Sequence, residues 1–135
     1  MRGRIIGFLA GVSLFAMTAA LSAHHSFAAE FDGDKPVVLK GAVTKVEWRN
    51  PHIWVYLEVR EPDGRMTAWQ CEGGAPNALT RQGWSRNTLK EGSEIVVTGW
   101  RAKDGTNTCN AGTWKLTNGQ QVLAGSSNPT AGGNR

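Results

Sequence analysis

The sequence predicts an all-β fold with one short helix, closed into a small five-stranded barrel. Three observations carry this. One stretch alternates strictly between apolar and polar residues, the mark of a half-buried strand. Clusters of Gly, Pro, Asn and Asp separate the remaining apolar runs and mark turns. Only one stretch, after Gly73-Gly74, has the composition of a helix.

Taken in order, a Val-rich run from Val37 to Trp48 is the first strand. Arg49-Asn50-Pro51 ends it, because Pro51 fixes its own φ and pushes Asn50 out of the helical region. In the second strand, Ile53, Val55, Leu57 and Val59 face one way, and His52, Trp54, Tyr56, Glu58 and Arg60 the other. Glu61-Pro62-Asp63-Gly64 is a hairpin turn, and Arg65 to Cys71 is the return strand. The helix covers Pro76 to Gln82, with proline near its start and Gly83 past its end. Trp84 is placed to plug the core. Glu94–Arg101 and Cys109–Leu116 are two further strands, with a short continuation over Gln121–Ala124. Three strands, a short helix and two strands is the element order of an OB-fold; a split β-sandwich with one helix is the competing architecture.

Residues 1–23 read as a secretory signal peptide. Arg2 and Arg4 form a basic start, an uncharged stretch runs from Ile5 to Leu21, and small residues follow. Cleavage fits after Ala20 or after Ala23; the second leaves His24 as the first mature residue. The apolar run is short for a membrane span, and none is expected once the leader is removed. The expected location is the periplasm. The expected organisation is one domain over residues 24–124 and a disordered Ser/Asn/Pro/Gly tail over residues 125–135.

The full chain carries a net charge of +4, and two of its arginines belong to the leader. So mild a balance argues against nucleic acid as partner. Cys71 and Cys109 can form one disulfide in an oxidising compartment or remain two buried thiols; sequence alone leaves both open.

Several segments together resemble a family of small, uncharacterised exported bacterial proteins, a domain of unknown function. They are His24-His25-Ser26-Phe27, Val46-Glu47-Trp48 running into Asn50-Pro51-His52, and Gly74-Ala75-Pro76-Asn77-Ala78-Leu79 with Gly83-Trp84. Leu89-Lys90-Glu91-Gly92 and Gly99-Trp100-Arg101-Ala102-Lys103-Asp104-Gly105 belong with them. The resemblance implies periplasmic location and an OB-like barrel, and it supplies no catalytic residues. Cys71 and Cys109 are not part of its pattern.

All three histidines suggest chemistry. A mature N-terminal His24 offers its α-amine and ring Nδ1 to one metal ion. A further imidazole, from His52 or His25, completes a three-nitrogen site suited to Cu(II). His52 follows a rigid turn and is the better-placed ligand; Trp48 and Trp54 would shield the site. Two polar histidines on a chain end, and a His52 that only fixes its turn, form the plainer reading. No nucleophile motif, phosphate loop or zinc-type spacing is present. The expectation is therefore a non-catalytic binding protein.

A different reading uses an aromatic face without metal. Trp54 and Tyr56 lie opposite the aliphatic stripe, with Trp48 and Arg60 near them, and could take a small ligand, a peptide or an envelope protein.

Overall fold

The computed structural model describes residues 27–128. Residues 1–26, with the expected signal peptide, His24 and His25, and residues 129–135 lie outside the described residues. Phe27 to Glu30 form a helical turn. Six strands follow: β1 (Phe31–Glu47), β2 (Trp54–Arg60), β3 (Met66–Glu72), β4 (Glu94–Ala102), β5 (Thr108–Leu116) and β6 (Gln121–Leu123). Helix α1 (Pro76–Arg81) stands between β3 and β4.

The sheet runs β3-β2-β1-β4-β5-β6, and β3 also pairs with β5. Five strands therefore form a ring, β1-β2-β3-β5-β4, which is the OB-like arrangement. Every pairing is antiparallel except β3–β5, which is parallel and only three register pairs long. Strong coiling lets so few strands meet. The register shifts between Val43 and Lys45 in β1 against β2, and between Thr98 and Gly99 in β4 against β5. Such bulges bend a strand and add twist. At Gly99 the backbones approach so closely that a Cβ would sit 2.2 Å from the Asn110 carbonyl oxygen, so only glycine fits.

The alternation in β2 behaves as its chemistry requires. Ile53, Val55, Leu57 and Val59 are all buried in one core cluster. Val43, Leu39, Ile95, Val97, Trp69, Ala111 and Trp114 join them from the other strands. Burying each large aliphatic side chain is worth roughly 1.5–3 kcal/mol. Helix α1 closes one end of the ring through Leu79, and Trp84 sits edge-on to Trp114 with centroids 6.3 Å apart. Gly83 takes φ 90° just past the helix, and the Trp84 N–H returns to the Leu79 carbonyl.

Three details differ from the sequence reading. Strand β1 begins at Phe31, not Val37, because Phe31 pairs with Ala102 and Pro36 with Trp100 across an irregularity. The stretch after Leu116 is a separate antiparallel strand, turned back by Gly119 at φ 83°. Gly125 to Asn128, assigned to a disordered tail, lie against the ring instead. The Ala124 backbone bonds to Gly74 on one side and Gly112 on the other, and Ser126 and Ser127 reach Asn110.

Candidate functional site

Cross-strand register places four side chains in one row on the outer surface of the ring. Trp54 pairs with Glu72, Glu72 with Asn110, and Asn110 with Trp100. Their sequence neighbours Val55, Cys71 and Cys109 point into the core, as alternation demands. An outer row should be wet. Yet Glu72 is 7% exposed and Asn110 only 1%.

Two chain segments bury this row. At the Trp100 end, Phe27 sits edge-on to Trp100 (5.9 Å) and stacks with Phe31 (5.6 Å), forming a small cluster with Ala102. Lys103 fastens that segment: its N–H donates to the Glu30 carbonyl (2.9 Å) and its ammonium to the Ala28 carbonyl (2.5 Å). From the other side come Ser126 and Ser127. Ser126 Oγ donates to Asn110 Oδ1, and Asn110 Nδ2 contacts Ser127 Oγ at 3.1 Å.

Burying an amide and a carboxylate is costly unless their polar atoms are paired, and here they are. Asn110 Nδ2 donates to Glu72 Oε2 at 3.0 Å. The other carboxylate oxygen, Oε1, is in contact with His52 Nδ1. The chain around His52 is held firmly. Ile53 N–H donates to the Gly74 carbonyl (3.0 Å), and Gly73 N–H returns to Ile53 (2.9 Å). The Asn50–Pro51 peptide bond before it is cis. A Cβ on Gly73 would lie 2.8 Å from the Ile53 side chain and force it to shift.

The chemical result is an oriented imidazole. A carboxylate facing Nδ1 keeps the proton on that nitrogen. The Nε2 lone pair is then available, and the His52 side chain remains 31% exposed. Sequence reasoning singled out His52 but missed Glu72, Asn110, Ser126 and Ser127. The β3–β5 pairing brings Glu72 and Asn110 together over 38 residues, and no local pattern announces it. Among the described residues, no group of three His, Cys, Asp or Glu side chains converges as a metal cluster.

The residues assigned to an aromatic face divide. Trp54 borders an open groove of about 680 Å³, with Phe31, Gln70, Asp104 and Thr108 among its walls. Tyr56 borders a shallower recess of about 270 Å³ that shares Gln70, Thr106 and Thr108 with that groove; Lys45 Nζ lies 5.3 Å from its ring centroid. Arg60 is at the far end of β2, bonded to the Gly64 carbonyl and outside both recesses. Trp48 packs partly buried against the core cluster. Cys71 and Cys109 form a disulfide, with Cα atoms 4.5 Å apart.

The chain belongs to the family of unknown function DUF6152, whose profile matches residues 12–111. That span includes His52, Glu72 and Asn110 and stops short of Ser126 and Ser127. The chain matches none of the curated proteins and none of the solved structures. Among the described residues, no helix is long and apolar enough to cross a membrane.

Proposed function

We propose that this protein is an exported, non-catalytic metal-binding protein that takes Cu(II) at His52 Nε2 together with the mature N-terminus at His24. The observation that carries the reading is the buried Glu72 carboxylate on His52 Nδ1, itself held by Asn110. Metal-ligating histidines are held by such partners, which fix the tautomer and raise the basicity of the ligating nitrogen. Cu(II) is the divalent ion that nitrogen-rich sites favour most. The Cys71–Cys109 disulfide supports export, since such bonds persist in oxidising compartments.

His24 takes part only if the chain before Phe27 runs along the row toward His52. Phe27 is anchored on Trp100, two strands from Glu72 along the row. Neighbouring strands lie roughly 4.8 Å apart, so that separation is roughly 10 Å. The three residues from Phe27 back to His24 span roughly 10 Å when extended, the separation to Glu72; the further step to His52 falls to the side chains.

The test is a Cu(II) titration followed by electron paramagnetic resonance on protein exported and processed in cells. One tight, nitrogen-rich signal is expected. An extra residue before His24 abolishes it, His52→Ala weakens it, and Glu72→Gln lowers affinity by roughly 10–100-fold. A signal indifferent to all three changes removes the reading.

The groove beside Trp54 favours a second reading, a small-ligand module without metal. Its wall combines the Trp54 indole, Gln70, Thr106 and Thr108 with the charged Glu30, Lys103 and Asp104, and suits a small polar ligand. Under that reading, Trp54→Ala abolishes ligand-induced fluorescence changes and the extra N-terminal residue has no effect.

A further inference from the structure

The closure of the ring and the holder of His52 are the same piece of structure. Strands β3 and β5 share only three register pairs: Gln70 with Thr108, Cys71 with Cys109, and Glu72 with Asn110. The middle pair is the disulfide. The next pair, on the opposite face by alternation, is the hydrogen-bonded Glu72–Asn110 couple that faces His52. Beyond it β3 leaves β5, and β6 takes over that edge at Thr113. Glu72 and Asn110 therefore keep their register across a short parallel seam with one covalent tie, one residue away.

We propose that the Cys71–Cys109 disulfide positions the His52 site, so that the site becomes competent only when the two thiols are oxidised. In that step the Cys71 and Cys109 thiols give up two protons and two electrons to a thiol–disulfide oxidant. An S–S bond forms between the two sulfurs, and the oxidant's own disulfide is reduced to a dithiol. Before oxidation the seam can part; Asn110 then leaves Glu72, and the carboxylate no longer holds the imidazole in one orientation. Both cysteines are fully buried, so a closed bond is shielded from exchange and the assembled site persists. A precursor in a reducing compartment would lack the oriented ligand; the exported, oxidised protein would have it. This rests on the reading of His52 as a metal ligand.

The deciding measurement is the ring nitrogen spectrum of His52 by NMR at mildly alkaline pH, on the metal-free protein. The oxidised wild type shows one tautomer, with the proton on Nδ1. Cys71→Ala/Cys109→Ala, with its amide spectrum showing a retained fold, shows a mixture of both tautomers and binds Cu(II) about 10-fold more weakly or worse. Asn110→Ala keeps the disulfide but cuts the link from the seam to Glu72, and gives the same mixture; if the double variant does not fold, the wild type reduced by a dithiol, with its amide spectrum showing a retained fold, takes its place. A single unchanged tautomer in whichever variant folds overturns the proposal. Mixed tautomers in a protein whose wild type binds no copper leave the disulfide as the positioning element and remove only the metal reading.

Discussion

Two rows of side chains cross the same outer surface of the ring and end in opposite states. Trp54, Glu72, Asn110 and Trp100 form one; Val38, Thr98, Thr113 and Leu123 form the other. The first holds a carboxylate and an amide and is covered, with Asn110 1% exposed. The second holds two aliphatic residues and is open, with Val38 70% and Leu123 60% exposed. Hydrophobicity alone would assign these the other way round. Position along the strands explains the inversion: the Phe27 segment and Ser126–Asn128 are both fastened at the first row. A second contrast lies inside the ring. The indole N–H groups of Trp69 and Trp114 are buried without partners among the described residues, whereas the Glu72 and Asn110 side chains are paired. A buried amide and carboxylate must be paired wherever they occur, and scattered exposed aliphatics are ordinary surface.

The comparison can be broken most severely at its covalent tie. Removing the disulfide with Cys71→Ala/Cys109→Ala frees a 38-residue loop; the chain-entropy account puts the loss at about 4 kcal/mol. Urea unfolding measures it. A loss below 1 kcal/mol would mean that the ring closes on packing alone.

Next comes Asn110→Ala. It leaves Glu72 Oε2 and the two tail serines without their partner, at a cost of about 1–3 kcal/mol. The same unfolding experiment reads it, and hydrogen exchange at Ser126 to Asn128 should rise.

In the open row, Val38→Thr and Leu123→Thr should change stability by no more than about 0.5 kcal/mol. A larger loss would show that this row is covered in solution.

The smallest effect concerns the turn bordering the groove. The Asp104 carboxyl is held below its usual value, first by the Thr106 hydroxyl and then by the Thr106 N–H. A depressed folded-state value stabilises the protein above the unfolded carboxyl value, roughly pH 4. That stabilisation disappears as pH falls through the folded value. Thr106→Val should move the Asp104 titration upward without affecting the His52 tautomer, as carboxyl and ring NMR signals would show.

Much of the ring was legible from local pattern. The alternation of β2 predicted which residues enter the core, and Gly64 and Gly83 marked their turns through positive φ. The site was legible only at His52, Trp54 and Tyr56. The difference is one of range. Periodicity and turn chemistry act over a few residues, and the chain states them directly. The amino-acid sequence by itself determined the alternating strands, the helix after β3 and the candidate imidazole. Only the tertiary structure decided that β3 and β5 close the ring, that Cys71 meets Cys109, and that Glu72 and Asn110 are buried together beside Ser126 and Ser127. Those outcomes depend on contacts between segments tens of residues apart, where no local preference acts and where the geometry of closure selects which side chains meet.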